Sequence, residues 1–444
     1  MEELPPSLIV DILSRLPDSA ELARCRLVSK TFKSLSYEVR SVRLLCTLSR
    51  YLKSRAPETI PPVTPFKTVL NTLVCDSRSL ESVSIRVDKS LGTLSNDDVE
   101  DESDDLYLTD VRFVKDWLPR VAGRLRSLSV SDFWVQSCWR KSEVLSLISS
   151  CCHSLLELEV KNAWLSVDGL NAMPTLTSLT LEFIRLDDED LNKVNNFFPC
   201  LKVLNLIGVG GLKEPKIHLL HLNTCHWTVS NAPLSLAIFA PNLVNLTLKC
   251  VKPRSLVLET PSLSDFHLTL EEANEFKVKG FPHLKNLLLQ SVDLCSLIRM
   301  FPSGRTIKKL TMDSPHLKMT GFCLETVFDV FPNLSYLNLG IRAWMQAEGY
   351  FVTRCMEGRT GMKVLKEIVA HMGTVSEDVT LSFIFSILDN CTNLSDMALM
   401  TYPQIGFLTA SDLVSRCRAA YPRVTWKWKM LKEGTEDVWV SDGI

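Results

Sequence analysis

The sequence predicts an α/β chain in two parts: a small N-terminal module of three short helices, then a long solenoid of degenerate, strand-bearing repeats. Three observations carry this. Apolar residues recur at helical spacing between Leu4 and Leu35. From residue 79 onward a unit of the form apolar-x-x-apolar-x-apolar returns along the chain. Between them lies Ala56-Pro57-Glu58-Thr59-Ile60-Pro61-Pro62-Val63-Thr64-Pro65, whose prolines make a stiff, extended connector.

The helices follow from local chemistry. Pro5 and Pro6 suit a first helical turn, where a missing N–H costs nothing. Leu8 or Ile9, then Ile12, Leu13 and Leu16, form one apolar face, and Pro17 stops the helix. Asp18 is positioned to cap a second helix, with Glu21 completing a capping-box pair. Leu22, Cys25 and Val28 line its stripe. Ser29 caps a third helix carrying Phe32 and Leu35. Three helices this short cannot bury all their apolar faces against each other, so a leftover face must meet the rest of the chain or another protein. Residues 36–52, with Val39, Val42, Leu45 and Leu48 on one stripe, are expected to be helical as well. The predicted division is a module at 1–50, a linker and entry at 51–78, and the solenoid at 79–444, capped from about 409.

The repeats read Leu80/Val83/Ile85, Leu125/Leu128/Val130, Leu155/Leu158/Val160, Leu176/Leu179/Leu181 and Leu201/Leu204/Leu206. They continue as Ile217/Leu220/Leu222, Leu243/Leu246/Leu248, Leu263/Phe266/Leu268, Leu284/Leu287/Leu289, Ile307/Leu310/Met312, Leu334/Leu337/Leu339, Leu365/Ile368/Ala370 and Leu394/Met397/Leu399. A period of roughly 20–29 residues with this pattern is the leucine-rich-repeat signature, and its stacked units form a horseshoe solenoid. Phe198-Pro199, Phe281-Pro282 and Phe331-Pro332 each precede a unit: the ring fills space under the turn and the proline ends the preceding segment. Segments 111–122, 142–151, 187–197, 322–330 and 376–390 are expected to be helical on the convex side. Asparagine three residues past the strand is replaced by Ala163, Ile184, Val209, Cys225, Val251 and Val292, so no asparagine ladder is expected. The run from Asn96 to Asp105 reads as a solvated acidic loop. The segment from Arg423 to Met430 reads as a closing strand, with Trp426 and Trp428 on one face and Lys427 and Lys429 on the other.

The residues Leu4-Pro5, Leu8-Ile9, Ile12-Leu13-Ser14-Arg15-Leu16-Pro17, Arg24-Cys25, Leu27-Val28-Ser29-Lys30, Phe32 and Leu35 together resemble an F-box of the plant type, with Phe32 where the family often has Trp. The whole chain resembles the plant F-box/leucine-rich-repeat family. The resemblance implies a substrate-recognition subunit of a Skp–cullin–F-box ubiquitin ligase. Its module would dock a Skp-type adaptor, and through it a cullin, by Leu4, Pro5, Leu8, Ile12, Leu13, Leu16 and Val28. The solenoid would hold a target protein. Such a subunit is not an enzyme; it acts by proximity. The competing expectation is a repeat scaffold outside ubiquitination, with helices that serve only as a cap. Hormone receptors of the same class carry basic cofactor-binding clusters, and no equivalent is present.

Composition narrows the rest. With 49 basic and 51 acidic residues among 444, net charge is −2, which argues against nucleic acid as a partner. No apolar run approaches membrane-spanning length, and Met1-Glu2-Glu3 does not open a signal peptide. The fourteen cysteines include no Cys-x-x-Cys pair and read as reduced thiols of the cytosol or nucleus. No cofactor, metal or catalytic residue is expected: His218, His221, Cys225 and His226 match no zinc spacing, and no phosphate loop or nucleophile elbow occurs. In the central repeats, residues flanking the inward leucines form rows on the concave side. Val203, Ile207, Leu219 and His221 stand out there as part of the expected target site, the alternative being that the edge loops carry binding and the concave face is covered or idle.

Overall fold

The computed structural model describes residues 4–55, 65–88, 91, 106–229, 233–271, 275–278, 280–301, 304–315, 322–353, 363–373, 377–402 and 407–430. Most of the proline connector, the acidic run 96–105 and the last residues of the expected cap lie outside them. The described chain falls into two compact units, Met1–Asn231 and Ala232–Ile444.

In the first unit, α1 (Pro6–Ser14), α2 (Glu21–Val28) and α3 (Lys30–Leu35) precede a parallel stack of strands. In order these are Ser41–Cys46, Ser82–Val87, Ser127–Ser131, Glu157–Lys161, Ser178–Glu182, Val203–Val209 and Thr224–Val229. The first is a correction. Residues 36–52 were expected to be one helix. Instead a short 3-10 turn, Ser36–Glu38, leads into the strand Ser41–Cys46, and only Leu48–Arg55 is helical. The alternation decides it: Val42, Leu44 and Cys46 are buried, while Arg43 between them is exposed. The stack therefore begins inside the span expected to hold only the helical module.

The inward residues of each repeat, such as Leu128/Val130, Leu158/Val160 and Leu204/Leu206, are buried, and their strand neighbours are half-exposed. Expected helices appear at Val111–Val121, Val144–Cys151 and Asp188–Phe197. The acidic first turn of the last one, Asp188 to Asp190, meets a helix N-terminus favourably, and Asp187 caps it by accepting from the Asp190 N–H at 2.8 Å. After the acidic run the chain re-enters at Leu106. There the buried Asp132 carboxylate accepts from the N–H groups of Leu108 and Thr109 and from the Thr109 hydroxyl. Burial pushes that carboxyl up to about 7 despite these donors.

One repeat was expected in the wrong place. Ile217/Leu220/Leu222 is not a strand of the stack: Lys216–His218 is a short strand, and residues 220–221 form a turn. The unit is Leu222/Cys225/Trp227, all buried, on the strand Thr224–Val229. Cys225 and Trp227 hide it from a leucine search. The period could have found it, since Ile217 follows Leu201 by only 16 residues and Leu222 by 21.

The second unit stacks Asn245–Cys250, Asp265–Leu270, Asn286–Gln290, Lys309–Asp313, Tyr336–Leu339, Glu367–Met372, Asp396–Thr401 and Thr425–Met430 in parallel. A second ladder of Ser235–Phe239, Ser255–Glu259 and Glu275–Val278 takes the place that helices hold elsewhere. Helices return from Leu294–Arg299 onward, with the expected ones at Leu324–Val330 and Glu377–Asn390 and a further one at Ile341–Thr353 between them. Phe281 and Phe331, each preceding a proline, are buried with Phe301 between them, ring centres 6.0 and 6.2 Å apart. Such ring pairs add about 0.5–1.5 kcal/mol each beyond burial. At the end of the stack Trp426 and Trp428 are buried as expected. Lys427 is exposed, but Lys429, expected beside it at the surface, is buried.

Candidate adaptor-docking face

α1 is apolar on two sides, and the structure separates them. Ile9 and Leu13 point into the module and are buried with Leu22 and Phe32. Leu8 and Ile12, one position away in each turn, point out and are 43% and 42% exposed. Pro5 begins the helix, its carbonyl accepting from the Leu8 N–H at 2.9 Å. α2 ends with Leu27 and Val28 at 88% and 71% exposure. Large aliphatic residues this open on regular helix make this face the candidate surface for a partner.

Of the expected adaptor residues, Pro5, Leu8, Ile12 and Val28 are exposed, Leu4 and Leu16 are half-buried, and Leu13 is not on the surface at all. The F-box resemblance placed Leu13 beside Ile12 in the docking set; the apolar stripe they share spans two faces of α1. Leu27 is the open residue that the reading missed. It sits one position off the Leu22/Cys25/Val28 stripe, and that offset was the available signal.

The module is fastened to the first strand. The Arg43 carbonyl accepts from the Ser19 N–H at 2.6 Å, and the Arg43 N–H donates to Ser19 Oγ at 2.8 Å. The Arg40 N–H donates to Ser14 Oγ at 3.0 Å. The two Arg43 bonds occupy backbone groups on the strand edge that faces away from its sheet partner, which would otherwise lie open. Arg26 on α2 pairs with Asp76 at 2.8 Å and lies over the Tyr37 ring at 4.6 Å. Arg50 pairs with Asp18 at 2.9 Å. Ser29 caps α3 as expected, accepting from the Phe32 N–H. The capping box on α2 does not form: Asp18 accepts from the Ala20 N–H, and Glu21 pairs with Arg24 at 2.8 Å. Inward contacts thus anchor the module while the outer face stays free.

Residues 1–44 match the F-box-like family model. Over 99% of its length the chain is 52% identical to an F-box/LRR-repeat protein of Arabidopsis thaliana, all of which is covered. The chain belongs to the F-box/LRR-repeat protein family. F-box domains as a class bind Skp-type adaptors, and proteins of this family are in general non-catalytic receptors.

The expected target residues fare unevenly. Val203 and Ile207 flank the inward leucines and are half-exposed, as predicted. Their neighbours in the row are Thr224 and Thr228, with His226 opposite Asn205. Leu219 is a correction: at 1% exposure it is a core residue. His221 lies in the turn after Lys216–His218, off the row. Burial pushes the Cys225 thiol up to about 12, so it stays protonated. Among the described residues no group of three His, Cys, Asp or Glu is placed to hold a metal ion. In the second unit an open concavity of about 440 Å³ is lined by Asn245, Thr247, Asp265, His267, Asn286 and Leu288 among others. These are residues the alternation places on that side, though not the ones singled out.

Proposed function

We propose that this F-box/LRR-repeat protein is the substrate-recognition subunit of a Skp–cullin–F-box ubiquitin ligase. α1 and α2 dock the adaptor, the adaptor leads to the cullin, and the repeats hold a target protein. The observation that carries the reading is the outward set Leu8, Ile12, Leu27 and Val28 on a module whose inner face is already used. A helical cap alone has no need of four open aliphatic residues. The chain contributes no chemistry of its own; it raises the local concentration of target lysines near charged ubiquitin. The half-exposed row around Val203 and Ile207 and the concavity of the second unit are the surfaces offered to the target. The reading includes a cytosolic or nuclear site of action, in keeping with the buried thiols Cys225 and Cys417.

The test is co-purification with a Skp-type adaptor, comparing the parent chain with a Leu8→Asp/Ile12→Asp double variant. The parent should form a stoichiometric complex and the variant, still folded, should not. Equal capture by both, or none by the parent, overturns the reading. Proximity labelling under proteasome inhibition then identifies the target.

A further inference from the structure

At or near the strand ends of the first unit, three neighbouring repeats pass through residues with positive φ: Asn162 (57°) and Phe183 (52°) just past their strands and Gly208 (62°) at a bulge within Val203–Val209. Asparagine and glycine enter that region readily; a bulky aromatic does not. Phe183 is nevertheless 54% exposed, so the unfavourable backbone holds an apolar ring at the surface instead of in the core. Its ring covers Gly208, where a Cβ would stand 2.7 Å from Phe183 Cδ1. Backbone strain at a surface is a reason to look for function.

Beside it runs a small parallel ladder. Lys141 pairs with Trp164, Trp164 bridges Arg185, and Arg185 bridges Gly210. Ser142, Leu165 and Leu186 face inward and are buried, which leaves Lys141, Trp164 and Arg185 on the outer face. The Arg185 guanidinium lies 4.4 Å from the Trp164 ring centre. Trp134, also exposed, stands third past the end of its strand, as Trp164 and Arg185 do past theirs. Four carboxylates of this region are engaged. Glu159 and Glu182 hold Lys161 at 2.9 and 2.6 Å, Asp168 holds Lys193 at 2.9 Å and Lys141 at 4.0 Å, and Asp188 accepts from the Lys213 and Glu214 N–H groups. Among the described residues Arg185 has no carboxylate partner.

We infer that this rim of Trp134, Trp164, Phe183 and Arg185 is a docking surface for an acidic protein segment carrying an apolar anchor. The anchor packs on Phe183 and Trp134 while a carboxylate meets Arg185. The inference rests on the proposed function only in taking the partner to be a protein. Charge complementarity selects the acid, because an uncommitted guanidinium already stacked on a ring loses little freedom when it pairs. Aromatic and arginine anchors dominate protein interfaces. A polyanion is disfavoured because the cations here are few and the chain as a whole carries −2.

The test uses the full chain purified with a Skp-type adaptor and fluorescence anisotropy against three probes. These are acidic dodecapeptides with one central Phe or Leu, the same peptides with Asn and Gln for Asp and Glu, and a single-stranded oligonucleotide. The acidic peptides should bind saturably, with at least tenfold weakening in Arg185→Glu and in Trp164→Ala. Phe183→Asn should weaken binding equally while leaving the melting temperature unchanged or higher, an outcome a merely structural phenylalanine would not produce. Equal binding of the neutral peptides, preference for the oligonucleotide, no peptide binding, or variants within twofold of the parent each overturn the inference. Adaptor retention is read in the same preparations. Its loss from the parent counts against the ligase reading and leaves the peptide result standing by itself.

Discussion

The helical module and the strand-end rim of the first unit both hold apolar side chains in water, by different means. Leu8, Ile12, Leu27 and Val28 lie on relaxed helix, and their exposure follows from a module with two apolar sides and only one neighbour of its own. Phe183 is held outward by a backbone conformation that costs about 1–2 kcal/mol in a residue of its kind. A plain aliphatic face on regular helix suits an adaptor shared by a whole class of receptors. A strained aromatic beside an uncommitted arginine suits a partner particular to this chain. The helices α1 to α3 cap the first strand with one face and leave the other open.

The largest effect should come from confusing the two sides of α1. Leu13→Ala should lower stability by about 2–5 kcal/mol, since Leu13 is buried among Ile9, Leu22 and Phe32. Leu8→Asp should change stability by no more than about 0.5 kcal/mol and abolish adaptor capture instead. Denaturant unfolding and adaptor pull-down on the same samples check both. Unfolding of the Leu8 variant would refute the two-sided description.

Next in size is the tie between module and repeats. Arg26 is largely buried, stacked on Tyr37 and paired with Asp76. Arg26→Ala should destabilise by roughly 1.5–3 kcal/mol, through lost packing as well as lost charge. Asp76→Asn should cost less, because Asn still accepts one hydrogen bond. A double-mutant cycle checks the coupling, which should be clearly non-zero.

How much of this was legible follows from where pattern and burial agree. The repeats announced themselves because each strand buries its alternate residues and leaves the others out, and most helices opposite them were found. Two errors share one cause. Val39, Val42, Leu45 and Leu48 were read as a helical stripe where the strand buries Val42, Leu44 and Cys46, and Ile217, Leu220 and Leu222 were read as a strand. In both places an apolar residue outside the true register supplied a false period. The open face of α1 and α2 was half legible: the F-box resemblance carried over Leu8, Ile12 and Val28, which are exposed, together with Leu13, which is buried, and did not carry the exposed Leu27. The rim was not legible, because Trp164 and Arg185 meet only through bridges between repeats, and a positive φ at Phe183 leaves no trace in composition.

Asp132 sharpens the comparison from inside the first unit. Its carboxyl titrates at about 7 in the fold against an ordinary 3.8, with burial the leading cause. Between those values the folded chain holds a proton that the unfolded chain has released. The associated stability is therefore fully present below about pH 4 and is lost as pH rises through about 7, by at most about 1.4 kcal/mol per pH unit. The stability advantage of the parent over Asp132→Asn should thus be larger at pH 5.5 than at pH 8. Chemical unfolding at the two pH values checks this, and an advantage that grew with pH would mean the buried carboxylate is held ionised by its donors.

The smallest effect concerns Phe183 itself, and its sign matters more than its size. Asn162 holds the equivalent position one repeat earlier at nearly the same φ, and asparagine is at ease there. Phe183→Asn gives the second repeat the residue of the first. It removes the strain and loses only the contact of a half-exposed ring with Gly208. Stability should rise by about 0.5–1 kcal/mol, a shift of roughly 1–4 °C for a unit the size of Met1–Asn231. Thermal unfolding of the full chain with its adaptor checks it. A fall of that size would mean the ring is needed to cover Gly208, and that its exposure is a by-product of packing and not a surface kept for a partner.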